Sequence, residues 1–256
     1  MSRQSPLKAA NSVTARSRNF RFRSVGRTDC GLVRRLNEDA FIENPDTALW
    51  AVADGMGGHN SGDFASAMVI RRLGRIARAE TAYALRTEVA RELAAANQEL
   101  LVRARGGSRG PMGATVAVLT ACRGYYSCTW AGDSRIYLLR KGRLRRITTD
   151  HSIVQALIDA GEISADEARH HARAHVVTRA IGASAELLLE TANGELEPGD
   201  RFLLCSDGLT SVVDDLQLLE LTSNRDIQIA IDSLISRTLE NGAPDNVTAI
   251  LTDVLL

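Results

Sequence analysis

The chain has 256 residues, 45% of them hydrophobic, enough to bury the core of one enzyme-sized unit. No apolar run approaches the roughly 18 residues of a membrane span, and the N-terminus lacks a continuous apolar secretory stretch, so a soluble, cytoplasmic protein without membrane partners is expected. Formal net charge is zero, yet residues 1–20 carry Arg3, Lys8, Arg16 and Arg18 and no acid; the body is slightly acidic, has no basic stripe for nucleic acid, and follows a tail expected to be disordered.

In chain order, β-rich runs at 21–25, 40–43 and 49–53 come first, the last stopping at Asp54-Gly55. Ala65, Met68, Val69, Leu73 and Ile76 then recur at helical spacing, as do Leu85, Val89, Leu93, Ala96 and Leu100. The Gly-rich stretch 105–111 predicts a loop. Three β-rich segments, 114–120, 125–131 and 135–139, stand too close together for crossover helices and must form antiparallel hairpins, with a further turn at Lys141-Gly142. Short helices are expected at 153–160 and 165–171, the second capped by Ser164. Strands at 187–191 and 201–205, a short helix at 216–221, a longer helix carrying Ile227, Ala230, Ile231, Leu234, Ile235 and Leu239 on one face, and a closing strand at 247–254 complete the pattern. Hairpin-linked strands interrupted by helix pairs predict a mixed α/β (α+β) chain: an antiparallel β-sandwich flanked on both faces by helices.

Four acids share one setting. Asp54, Asp133 and Asp207 each follow a strand, Asp245 precedes one, and Glu38-Asp39 stands just before another. A single Asp-Gly after a strand is ordinarily a plain turn. Together they are costlier: two carboxylates about 5 Å apart repel by roughly 3 kcal/mol at an effective dielectric near 20, so a convergent cluster needs cations or shared protons. All-oxygen ligation favours Mg²⁺ or Mn²⁺ over zinc.

The same residues lie in an ordered motif set: Gly31-Leu32-Val33-Arg34-Arg35-Leu36-Asn37-Glu38-Asp39, Val52-Ala53-Asp54-Gly55-Met56-Gly57-Gly58-His59, Gly113-Ala114-Thr115, Ala131-Gly132-Asp133-Ser134-Arg135, Ser206-Asp207-Gly208 and Asp245-Asn246-Val247. From about residue 22 onward the chain resembles the PPM (type 2C) metal-dependent protein serine/threonine phosphatases, in their bacterial form. The resemblance implies a phosphatase domain over 21–256 that hydrolyses phosphoserine and phosphothreonine with a water bridging two divalent cations. It implies that Asp54 bridges the two ions, that Glu38 and the Gly55 carbonyl complete one site and Asp207 with Asp245 the other, and that Asp133 joins Asp207 at a third, weaker site. Asp39 would hydrogen-bond water in the site and Arg34 would fork onto the substrate phosphate, while Arg35 is read as a surface residue.

Related eukaryotic proteins carry a histidine two residues after the bridging Asp, where this chain has Met56; His59 is the nearest candidate for the leaving-group proton, and it could equally cap the glycine turn. Residues 150–178 resemble a mobile flap subdomain, although His171-Ala172-Arg173-Ala174 departs from the usual His-Pro-x-Arg, and His171 with His175 reads as an exposed histidine cluster. Asp150-His151-Ser152 fits the family pattern without supplying a chemistry. Cys30, Cys122, Cys128 and Cys205 form no C-x-x-C pair and are expected to be buried free thiols. A thiol nucleophile would need an Arg six residues on, where Leu36, Cys128, Ser134 and Ser211 stand. The implied partners are phosphoproteins, including a serine/threonine kinase or its substrates, met by a monomer. A catalytically silent phosphoprotein binder and a two-metal hydrolase of small phosphate esters are the competing readings.

Overall fold

The computed structural model describes residues 20–57, 61–106, 112–169 and 171–256. The expected tail, His59 and most of the expected glycine loop lie outside them. The first strands are β1 (Arg21–Asp29), β2 (Asp39–Asn44) and β3 (Leu49–Gly57), followed by α1 (Gly62–Leu73) and α2 (Ala82–Gly106). Next come β4 (Met112–Ala114), β5 (Val116–Cys122), β6 (Tyr125–Ala131), β7 (Arg135–Arg140) and β8 (Arg143–Arg146); hairpins join β5 to β6 and β7 to β8, whereas β6 and β7, expected to pair, lie in different sheets because the chain crosses the sandwich at Gly132–Ser134. Two short helices, α3 (Ile153–Asp159) and α4 (Ala165–Arg169), precede β9 (Glu190–Glu195) and β10 (Arg201–Cys205). The chain closes with α5 (Asp207–Thr210), α6 (Asp215–Thr222), α7 (Ile227–Glu240) and β11 (Val247–Leu255).

Two antiparallel sheets result, ordered β1-β11-β10-β7-β8 and β2-β3-β5-β6-β9, with β4 paired to the end of β3. The period of two along each strand builds the layers. In β3, Trp50 and Val52 face the other sheet, where Phe202 and Leu204 of β10 and Ile250 of β11 meet them. Leu49, Ala51 and Ala53 point the other way, onto Met68 and Val69 of α1 and Leu93 and Leu100 of α2. Leu203 and Cys205 likewise turn outward beneath Ala230, Ile231 and Leu234 of α7. Central strands are therefore apolar on both faces, and the expected helix-flanked β-sandwich forms.

Caps fix the helices that cover the β1-β11-β10-β7-β8 sheet. Asp226 accepts from the Gln228 and Ile229 backbone N–H groups at the start of α7, and Asp214 with Gln217 makes a reciprocal capping box on α6. Ser164 caps α4 as expected, its Oγ accepting from Glu167 N at 3.2 Å.

Several expectations are corrected. β3 does not stop at Asp54-Gly55: Gly55 to Gly57 continue into pairing with β4, and Thr115 stands outside both β4 and β5. α2 continues through Arg105 and Gly106, where a loop was expected. The strand expected at 187–191 lies at β9 instead, because Leu187 and Leu189 pack against the α1–α2 cluster while Glu190–Glu195 supplies backbone pairing to β6. Cys128 and Cys205 are buried free thiols, but Cys30 and Cys122 are only partly buried.

Candidate active site

The acids gather at one end of the sandwich because several strands deliver them there. Asp54 on β3 sits directly across from Asp39 on β2 in the antiparallel register. Where β3 changes partner from β5 to β4, Thr115 holds the Asp54 backbone on both sides: its N–H donates to Asp54 O at 2.8 Å, and its Oγ1 accepts from Asp54 N at 3.2 Å. β10 releases the chain into Ser206 and then Asp207, the first residue of α5. Ser206 Oγ accepts from Thr248 N at 3.0 Å and donates to Asp39 Oδ2 at 2.7 Å, so one hydroxyl joins the two sheets at the acidic end.

Asn246, at the entry to β11, organises the loop that bears Glu38 and Arg34. Its Oδ1 accepts from Glu38 N at 2.8 Å, and its Nδ2 donates to the carbonyls of Cys30 and Leu36 at 2.9 Å each. Beside it, Arg34 Nη2 donates to Asp245 Oδ2 at 2.7 Å. Close backbone approach needs glycine at two points. A Cβ on Gly55 would strike the Gly62 and Glu38 carbonyls, and one on Gly208 would strike the Asn246 carbonyl. Gly55 N donates to Glu38 O at 3.1 Å, which brings Gly55, Glu38 and Gly62 into one cradle.

The electrostatics follow from crowding like charges away from water. Burial raises the Asp54 carboxyl well above the ordinary range, and the charges of Asp39, Asp207, Asp133 and Asp245 push it further. Burial pushes Asp39 up to about 7, partly offset by the Thr248 and Ser206 hydroxyls and reinforced by Asp207 and Asp245. Asp133 is pushed up to about 8 by burial, then by Asp207 and Asp150. Among the described residues, no basic side chain forms an ion pair with Asp39, Asp54 or Asp133.

This arrangement fits divalent cations. Asp39 Oδ1 is buried with no hydrogen-bond partner, an acceptor that calls for a donor or a cation nearby. The donor set is oxygen throughout, suited to hard ions that keep several waters. Among the described residues, no three His, Cys, Asp or Glu side chains stand close enough to grip an ion by themselves. A cavity of about 270 Å³ opens on the site, lined by Arg34, His175, Asp207, Ser211, Pro244 and Asp245.

His175 was not read as a site residue, yet its Nδ1 lies 3.6 Å from Asp207 Oδ2, which raises the imidazole pKa above its ordinary value. The His171 ring is held locally, its Nδ1 accepting from Arg173 N at 3.1 Å. Ser206, Gly62 and Asn246 were also missed as builders of the site, although Ser206 and Asn246 stood inside the quoted motifs. Arg35 is exposed, as expected.

The family profile described as "Protein phosphatase 2C" matches residues 33–255. The "Serine/threonine phosphatase stp" of Listeria monocytogenes is 35% identical over 236 residues, covering 89% of this chain and 94% of that protein. The solved structure of PppA, described as a key regulatory component of T6SS in Pseudomonas aeruginosa, superposes with a TM-score of 0.85 at 42% identity, covering 93% of this chain and 100% of that one. The catalytic domain of the serine/threonine protein phosphatase PstP, solved in complex with 2 manganese ions, superposes with a TM-score of 0.86 at 34% identity, over 93% of this chain and 100% of that one. With matching motifs, fold and profile over nearly its whole described length, the chain belongs to the protein phosphatase 2C family.

Proposed function

We propose that the acidic end of the sandwich is the active site of a metal-dependent protein serine/threonine phosphatase, with Glu38, Asp54, the Gly55 carbonyl, Asp207 and Asp245 holding two divalent cations, Mn²⁺ or Mg²⁺, and Asp133 with Asp207 offering a third, weaker site. The observation that carries this reading is Asp54 set opposite Asp39 amid the charges of Asp133, Asp207 and Asp245, with no basic partner among the described residues. When bound, the ions supply an activated water near neutral pH and positive charge toward the phosphoryl oxygens.

The chain's own residues do the rest. Arg34 lines the cavity and spends one N–H on Asp245, which leaves other guanidinium donors for a phosphate oxygen. Asp39, whose Oδ2 is engaged by Ser206, offers Oδ1 to a water in the site. Thr115 and Ser206 keep Asp54 and Asp39 from turning away. Residues 150–178 act as a flap: their closing end carries His175 to the mouth of the site, where a phosphoprotein must enter.

The substrates are phosphoproteins, and the enzyme opposes a serine/threonine kinase in a bacterial cytoplasm, acting as a monomer. Among the described residues no helix is long and apolar enough to cross a membrane. Identity to PppA exceeds that to PstP, which favours regulation of a T6SS over general signalling. A direct test gives the protein a phosphothreonine peptide and a chromogenic aryl phosphate with manganese, with chelator, and as Asp207→Asn. Manganese-dependent peptide turnover lost in the variant supports the reading; peptide binding without turnover selects a silent phosphoprotein binder, and turnover of the aryl ester alone selects a small-ester hydrolase.

A further inference from the structure

Asp150-His151-Ser152 has no part in the chemistry above, yet His151 is only 6% exposed and tied on several sides. Its backbone N–H donates to Gly132 O at 2.9 Å, and its ring Nδ1 accepts from Gly132 N at 3.1 Å, so both polar backbone groups of Gly132 end on this one residue. Gly132 immediately precedes Asp133 and has φ +117°; a Cβ there would sit 2.5 Å from Cβ of Thr115, the side chain that holds Asp54. The turn therefore has one tight seat, and His151 holds it there.

An accepting Nδ1 leaves the ring proton on Nε2, which lies 3.2 Å from Glu190 Oε1 and 3.2 Å from Arg179 Nη1, the latter also donating to Glu190 Oε1 at 2.9 Å. The ring stacks on Trp130 with centroids 6.1 Å apart, and Trp130 Nε1 donates to Thr149 O at 2.9 Å. On its other side His151 reaches the far end of the 150–178 segment. Its carbonyl accepts from Thr178 N at 2.7 Å, Ser152 bridges Val177, and Ile153 N donates to Val176 O at 3.0 Å. His175, at the mouth of the site, is the next residue up the chain from Val176.

We propose that His151 is a positioning residue: its neutral ring and backbone lock the Gly132–Asp133 turn to the stem of the 150–178 segment, so that Asp133 and the segment over the site are placed as one unit. The inference rests on the reading of Asp133 as an ion ligand in a phosphatase.

The test compares kcat/KM toward a phosphothreonine peptide, at saturating and limiting manganese, for His151→Ala, His151→Asn and His151→Gln, each alone and with Asp133→Asn. The Asn amide oxygen can stand where Nδ1 accepts from Gly132, whereas the longer Gln reaches toward the Nε2 partner instead. His151→Ala is expected to lower kcat/KM about 10-fold and to raise the manganese requirement, the scale usual for groups that orient ligands. His151→Asn should restore most of that loss, His151→Gln little of it, and in the Asp133→Asn background the further loss from His151→Ala should shrink to less than about 2-fold. Equal rescue by Gln and Asn, a His151→Ala penalty undiminished in the Asp133→Asn background, or activity unchanged in all three variants would overturn the inference while leaving the phosphatase reading intact. If His151→Ala does not fold, the Asn and Gln pair decides alone. A wild-type protein inactive toward every phosphoester with manganese would remove the phosphatase reading itself.

Discussion

The two ends of strands β10 and β11 treat carboxylates in opposite ways. At one end Asp253 is flanked by Arg201, whose Nε and Nη2 reach it at 2.5 and 3.0 Å, and by Arg23 at 2.7 Å. Arg201 also donates to the Thr222 and Asn224 carbonyls. Nearby, Arg140 forks onto Asp200 at 2.7 and 2.6 Å. About 20 Å away along the strands, the end bearing Asp207 and Asp245 gathers still more acids, and the deepest of these have no basic partner among the described residues. The same fold thus neutralises acids with arginine at one end and leaves its deepest acids unpaired at the other, where the proposed ions would bind.

Removing an acid from the unpaired end should separate activity from stability most sharply. Asp54→Asn is expected to lower kcat by about 10³-fold, while the melting temperature of chelated protein rises because a buried like charge is gone. The paired end should answer in reverse. Arg201→Met leaves Asp253 without its buried partner and should cost about 3–5 kcal/mol in denaturant unfolding, with kcat per folded molecule unchanged. Arg34→Lys keeps the charge but loses the fork, so kcat/KM toward a phosphopeptide should fall about 10-fold.

The smallest effect expected is a pH trend in chelated protein. Asp39 and Asp133 are raised to about 7 and about 8, above the ordinary carboxylate value that the unfolded chain regains. Between those limits the folded state holds protons that the unfolded state has released, so stability falls as pH rises. The melting temperature of chelated protein should therefore drop by several degrees between about pH 5 and pH 8. Manganese should flatten that slope, and a slope of the opposite sign would mean the acids are already paired.

Much of this contrast was legible in the chain. Apolar runs such as Leu49 to Ala53, each ending in Asp-Gly or Ser-Asp-Gly, announced strands that carry acids out of a core, and short spacing announced the β5-β6 and β7-β8 hairpins but not the crossing between sheets from β6 to β7. The strand at Glu190–Glu195 was misplaced because ETANGE has no apolar alternation; it forms through backbone pairing to β6, a long-range partner that local pattern does not reveal. Gly55 to Gly57 read as a turn because glycine signals punctuation, whereas here it admits the close approach of Gly62 and Glu38. α5 has only four residues and no periodicity to detect. His175, Ser206 and Asn246 take their places through contacts with Asp207, Asp39 and Glu38, made across 32, 167 and 208 residues of chain, and side chains joined across such separations leave no local spacing to read.

Calorimetric titration of metal-free protein with manganese tests the central claim most directly. Binding of two ions per chain is expected, the number seen in PstP, with heat strongly reduced by Asp54→Asn and by Asp207→Asn and unaltered by Arg201→Met. Absence of manganese uptake by wild-type protein, or uptake indifferent to Asp54 and Asp207, would contradict the account.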